Sequence, residues 1–378
     1  MTDMNIGFIV NPIAGMGGRV GLKGTDGVVA LARKLGAKPV SPYRAREFID
    51  CLLNTIGKER PAPEFFTCSE PMGEDILLRY NFPYQVLYRP VDMETSRQDT
   101  IKAVHEIIDK VDILVFVGGD GTARDVYDAL KEADKLDKPI LGVPSGVKMY
   151  SGVFAATPCD AAEVLYQAFH NRIRYEWAEV IDIDENAFRS DRLEVKIYGQ
   201  LKVPYIPMAI QSGKTATILT EDEVENQRAI ARTLIEEMDP EALYILGPGT
   251  TVKAVADELD IKKTILGVDA YYKGKVYNDI NEEKIKMLMQ KAGKTYIVIT
   301  PIGRQGFILG RGNLQISPEI LEKIPKENII ILATHKKLGE IEGGVLRVDT
   351  HSKDLDKKLK GYMKVIIDYK TWRLVKVI

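Results

Sequence analysis

The chain is poor in the residues that build covalent or metal-held scaffolds. It has three cysteines, Cys51, Cys68 and Cys159, in 378 residues, and none lies in a CxxC pair. So few, and an odd number, argue against a disulfide framework and against a thiolate zinc site. The four histidines, His105, His170, His335 and His351, stand apart, without the spacing of a histidine metal motif. No apolar run approaches the roughly 18 residues of a membrane span. The start, "MTDMNIGFIVNPIAG", lacks the basic segment and apolar core of a signal peptide. Charge of one sign is also lacking: 52 basic residues against 54 acidic ones leave a net charge of −2. Nothing in that balance requires the basic face that a nucleic acid would need. The expectation is a soluble cytoplasmic protein without nucleic-acid or membrane partners.

What is present is the composition of a globular chain, 45% hydrophobic and 28% charged, long enough for two or three domains. Short apolar runs alternate with helical spacing. "NIGFIV", "EFFTCS", "YQVLYRP", "DILVFV" and "KPILGV" read as strands. Between them "VVALARKLGA", "RAREFIDCLLNTI", "GEDILLRYNF" and "TSRQDTIKAVHEIIDK" read as helices, the last capped by Thr95 or Ser96. This order predicts an α/β fold with a doubly wound parallel sheet. After the helix "TPCDAAEVLYQAF" the texture changes. "RLEVKIYGQLKV" alternates like a half-buried antiparallel strand, and the chain ends in a hairpin, "YMKVIIDYKTWRLVKVI". The division expected is a nucleotide-binding domain over 1–157 and a mixed α/β domain with antiparallel strands over 158–378, covering the cleft. A further boundary near 241 is an alternative.

The chemistry concentrates in "VFVGGDGTARDVYDAL" (Val115–Leu130). Gly118, Gly119, Gly121 and Thr122 join a buried strand to a helix, where backbone N–H groups and the helix dipole receive phosphate. Asp120 stands in the middle of that loop, where a carboxylate repels phosphate. An Asp-Gly turn accounts for it structurally. Two chemical roles also account for it. It can hold Mg²⁺ between itself and phosphates, or take the proton of an attacking hydroxyl.

"GGDGT" after a buried strand resembles the shared motif of NAD kinases, diacylglycerol and sphingosine kinases and 6-phosphofructokinases. "FIVNPIAGMGG" is similar to the first strand and Asn-Pro turn of the NAD and lipid kinases. "GVPSGVKMYSGVFA" (Gly142–Ala155) falls at their second substrate loop. The chain most resembles the archaeal and bacterial ATP-NAD kinase-like branch, which includes proteins named after acetoin catabolism. The resemblance implies Mg²⁺-dependent phosphoryl transfer from ATP, or from polyphosphate, to the adenosine 2′-OH of NAD, in a homo-oligomer. It implies Asp120 as catalytic and metal-binding residue. Asn11, Gly15, Gly17 and Gly18 would lie near nucleotide phosphates, with Arg19 as counter-charge or as a solvated loop cation.

One segment departs from the family. NAD kinases carry an Asn-rich second motif, and this chain has Ser145-Gly146-Val147-Lys148. Lys148 suits a phosphate rather than a ribose, or sits on a rim. The acceptor therefore stays open to a sugar, polyol or lipid, and a nucleotide sensor without catalysis is a further reading. "LGPGTTVKAV" is a second strand, glycine loop and helix, in which Gly247, Gly249, Thr250 and Thr251 bind a phosphate or merely start a helix. Asp269 ends a strand. Arg304, Gln305, Arg311 and Asn313 lie in a polar stretch able to close over a ligand or to form ordinary surface.

Overall fold

A computed structural model describes residues 4–22, 29–57, 63–80, 82–92, 94–146, 149–183, 195–206, 209–210 and 220–378. They divide into two compact units. The first lies within Met1–Met16, Gly24–Asp184 and Glu194–Thr215, the second within Gly17–Lys23, Glu185–Leu193 and Ala216–Ile378.

The first unit is built on a five-stranded parallel sheet. Its strands are β1 (Asn5–Val10), β2 (Glu64–Cys68), β3 (Tyr84–Tyr88), β4 (Ile113–Gly118) and β5 (Ile140–Pro144), in the order β3-β2-β1-β4-β5. Every residue of β4 is buried. That is why it reads as a continuous apolar run instead of alternating: helices cover both faces of a parallel sheet. The helices are α1 (Val29–Lys34), α2 (Ser41–Ile56), α3 (Glu74–Leu77), α4 (Arg97–Ile107), α5 (Asp120–Glu132) and α6 (Pro158–Phe169). Ser96 rather than Thr95 starts α4, its N–H bonded to Asp99 at 2.7 Å in a capping box. "GEDILLRYNF" gives only the four residues of α3, preceded by a 3₁₀ turn at Glu70–Met72.

Two antiparallel strands, β6 (Arg174–Ile183) and β7 (Val195–Tyr205), pair as a separate hairpin. This hairpin and α6 lie beyond residue 157, the division expected from the sequence, yet they belong to the first unit. The change of texture near 158 is a change in strand pairing within one compact body. A disulfide joins Cys51 on α2 to Cys159 on α6. The sparse cysteines hid this bridge, because its partners lie 108 residues apart. Cys68 is a free thiol, and burial pushes its pKa far up.

The second unit has α7 (Glu221–Glu236), β8 (Leu243–Leu246), α8 (Thr250–Glu258), β9 (Asp269–Tyr272), β10 (Lys275–Tyr277), α9 (Glu282–Lys291), β11 (Thr295–Ile299), β12 (Phe307–Leu309), α10 (Pro318–Leu321), β13 (Ile329–Leu332), α11 (His335–Gly339), β14 (Arg347–Val348), α12 (Lys353–Leu359), β15 (Gly361–Asp368) and β16 (Thr371–Val377). Seven strands form one sheet, β10-β9-β8-β11-β13-β15-β16. Its four middle members are parallel, and β9, β10 and β16 run antiparallel to their neighbours. Leu243 and Ile245 enter one apolar cluster, Tyr244 and Leu246 another. Alternate residues of β8 thus serve the two covered faces of the sheet. The fold is α/β, with a parallel five-stranded sheet in the first unit and a mixed sheet in the second, as the sequence pattern implies.

Candidate active site

In a doubly wound sheet, ligands sit beyond the carboxyl ends of the strands, where successive connections leave in opposite directions. In the first unit that point lies between β1 and β4. From β1 the chain goes on to β2 on one side, and from β4 to β5 on the other. The loop after β1 carries Asn11, and Gly118–Thr122 forms the tight junction of β4 with α5, with Gly119 alone between them.

These loops are stitched together. Asn11 N–H bonds to the Val117 carbonyl at 3.0 Å. The Asn11 side chain donates to Thr122 Oγ1 at 2.9 Å and accepts from Ile13 N–H at 3.2 Å. Thr122 is buried in the first turn of α5, beside Gly121. Asn11 therefore links two strand ends and fixes the hydroxyl of the motif threonine. An aspartate there has no amide N–H to give it.

The segment after β5 joins as a third loop. Ser145 N–H bonds to the Gly118 carbonyl at 2.9 Å. Gly119 and Gly146 face each other so closely that a Cβ on Gly119 would lie 3.3 Å from the Gly146 Cα. Gly15, at φ +80°, presses on the same strand end, and a Cβ there would lie 1.9 Å from the Ser145 carbonyl oxygen. Only glycine meets both demands. Beneath these loops, Ser41 Oγ donates to the Ala14 carbonyl at 2.9 Å and lies 2.9 Å from Ser145 Oγ. The buried Arg44 donates to the Pro144 carbonyl at 3.1 Å. Ser41 and Arg44 were not legible as site residues. Nothing in "SPYRAR" marks them, since the loop residues they hold, Ser145 and Pro144, lie about a hundred positions away.

Asp120 occupies the first position of α5, with Gly119 as its N-cap. One carboxylate oxygen accepts the Tyr150 N–H at 2.8 Å and the other the Ser151 N–H at 2.9 Å. The acid thus spans from the glycine loop to the third loop, and the helix dipole of α5 favours its charge. Burial, with the Asp120 charge beside it, pushes the Tyr150 phenol pKa well up and keeps that hydroxyl protonated. Ser151 Oγ in turn accepts the Ile181 N–H at 2.9 Å, which ties the loop to β6.

The structure therefore brings Asn11, Gly15, Gly118, Gly119, Asp120, Gly121, Thr122, Ser145 and Gly146 together. Lys148 lies outside the described residues. Gly17, Gly18 and Arg19 group with the second unit, where the Arg19 carbonyl accepts the Glu282 N–H at 3.4 Å. Gly247, Gly249, Thr250 and Thr251 also belong to the second unit, at the end of β8. Asp269 is fully buried. Its carboxylate accepts Thr264 N–H at 2.8 Å, Thr264 Oγ1 at 3.0 Å and Asp279 N–H at 2.6 Å, and pairs with the buried Lys263 at 3.3 Å. It is a brace for its own loops. Arg311 and Asn313 are internal as well: Arg311 pairs with Asp349 at 3.6 Å, and Asn313 bonds Gly310 N–H and the Ile308 carbonyl. They hold the polar stretch together from inside, Gln305 is buried with them in the second unit, and Arg304 is exposed.

Comparison with known proteins gives the family. Residues 6–173 match the ATP-NAD kinase N-terminal domain, and residues 239–377 match the ATP-NAD kinase C-terminal domain. A search of curated proteins gives no match. Among solved structures the chain is similar to a provisionally named diacylglycerol kinase from Bacillus anthracis str. Sterne. Identity is 13%, over 73% of this chain and 63% of that one, with a TM-score of 0.25. The chain thus spans less than two thirds of that protein. The two domain matches together take in most of the sequence: the chain belongs to the ATP-NAD kinase family.

Proposed function

We propose that the chain transfers the γ-phosphoryl group of ATP to the adenosine 2′-hydroxyl of NAD, giving NADP, with polyphosphate as an alternative donor. The observation that carries this reading is the position of Asp120. A carboxylate in a phosphate cradle is electrostatically costly unless it serves the reaction, and this one is fixed by two backbone N–H groups between the motif loop and the third loop. Membership of the ATP-NAD kinase family supports the same choice of donor and acceptor.

Phosphoryl transfer asks little covalent chemistry of a protein, and catalysis is mainly positioning and charge stabilisation. Gly119, Gly121 and the N-terminus of α5 would receive phosphate oxygens through backbone N–H groups. Asn11 would hold the Thr122 hydroxyl towards them. Asp120 would orient the acceptor hydroxyl and take its proton as the bond to phosphorus forms.

Among the described residues, no three acidic, histidine or cysteine side chains gather into a metal cage. Magnesium ordinarily takes one or two carboxylates plus substrate phosphates. Asp120 therefore fits the ion by its chemistry, as a carboxylate ligand shared with the nucleotide phosphates. The ion would neutralise charge on the transferring group.

The direct test is NADP formation from NAD, ATP and Mg²⁺, read by an NADP-specific dehydrogenase. An acceptor panel of sugars, polyols and diacylglycerol runs beside it. Turnover of one of these without turnover of NAD would replace the acceptor and keep the phosphotransferase. Tight nucleotide binding without transfer to any acceptor would leave a sensor.

A further inference from the structure

The second unit repeats the first unit's device at a different place. Its parallel strands β8, β11 and β13 all end on one edge. From β8 the chain continues through α8 to β9 on one side, while from β11 it continues to β13 on the other. The point of divergence lies between β8 and β11, where ligands collect in open sheets.

Three features there go beyond a helix start. Gly249 sits at φ +116° as the N-cap of the nine-residue α8, and a Cβ on it would lie 2.6 Å from Thr300 Cγ2. Thr300, just past β11, thus turns its side chain onto the loop. Thr300 Oγ1 and Thr251 Oγ1 are both buried, and neither has a hydrogen-bond partner. A buried hydroxyl without a partner is costly, and two beside one helix N-terminus are unusual. Finally, α7 forms a polar wall. Gln227 Nε2 donates to Thr250 Oγ1 at 3.2 Å, and Glu223, one turn earlier on the same face, accepts Thr334 Oγ1 at 2.7 Å past the end of β13.

We propose that the second unit carries its own anion site at this edge, which takes the phosphate of a phosphomonoester whose carbon skeleton bears hydroxyl groups. The phosphate meets the first N–H groups of α8 and the hydroxyls of Thr251 and Thr300. Glu223 and Gln227 suit hydroxyls on the skeleton, since a carboxylate accepts from them and repels a second phosphate. The site is built from the second unit alone and does not rest on phosphoryl transfer at Asp120.

The test is calorimetry on the full chain with inorganic phosphate, ribose 5-phosphate and AMP, the last two separating a sugar phosphate from a nucleotide. Wild type should bind at least one ester more tightly than phosphate, at or below about 10 mM. Thr251→Val and Thr300→Val keep the shape and remove the orphan hydroxyls. Each should weaken binding at least tenfold while the melting temperature without ligand holds or rises. Glu223→Gln should keep or tighten phosphate binding and lose the preference for the ester. Valine variants that bind as wild type does, or no binding of any probe by wild type, would overturn the proposal. NADP formation is scored separately, so either reading can fail alone.

Discussion

Replacing Asp120 by asparagine tests whether the motif carboxylate also holds the site together. The carboxylate takes two N–H bonds, from Tyr150 at 2.8 Å and Ser151 at 2.9 Å. Asparagine has one acceptor oxygen, so it keeps one bond and turns an amide N–H₂ towards the other donor. Hydrogen bonds to charged groups contribute roughly 1.5–3 kcal/mol. The variant should lose about that much, with a drop of roughly 3–10 °C in the melting of the first unit. Hydrogen exchange at the Tyr150 and Ser151 amides gives the local readout. Faster exchange at these two amides, with protection kept at β1 and β4, is expected. Exchange and melting that match wild type would show that Asp120 does not anchor the third loop, and the geometry argued for it would be wrong.

Other changes probe the rest. Gly15→Ala puts a Cβ into the Ser145 carbonyl at a positive φ. It should destabilise by more than about 1 kcal/mol and weaken ATP binding, measured by urea unfolding and calorimetry. Cys51→Ser opens a loop of 108 residues and should cost about 2–4 kcal/mol in denaturant titrations, an effect reproduced in wild type by a reductant. Burial pushes Lys337 down to about 8 from an ordinary 10.5, against the opposing charges of Glu223 and Glu340. The unfolded chain then binds the extra proton between those values, so stability should rise as pH increases from about 8 to 10.5. Lys337→Met should flatten that rise, and a rise of the same size in the variant would assign it to other groups.

The first sheet was legible because four of its strands, β1, β2, β4 and β5, are almost wholly buried and all five are flanked by helical spacing. "NIGFIV" gives β1 and "DILVFV" gives β4 within one residue. The motif glycines and Asn11 were legible because strand, loop and helix follow one another locally. The supports were not. Arg44 and Ser41 act on a loop about a hundred residues downstream, and Asp120 is tied to Tyr150 and Ser151 by backbone groups that have no residue signature. Cys51 and Cys159 meet only because α2 packs against α6. Asp269 looked available at a strand end, and its hydrogen bonds all go to its own loops. β6 was missed for another reason. "RYEWAEVIDI" mixes charges and aromatics with half-buried positions, and its partner β7 fixes it more than its own pattern does.

Asp120 is proposed to serve phosphoryl transfer to NAD. The most direct measurement is the initial rate of NADP formation by wild type and by Asp120→Asn, both held well below the variant's melting temperature. Wild type should form NADP in a Mg²⁺-dependent reaction. The variant should bind ATP and NAD yet turn over at least about 100-fold more slowly, the scale of a lost general base. NADP formation at the wild-type rate by the folded variant would remove Asp120 from the reaction.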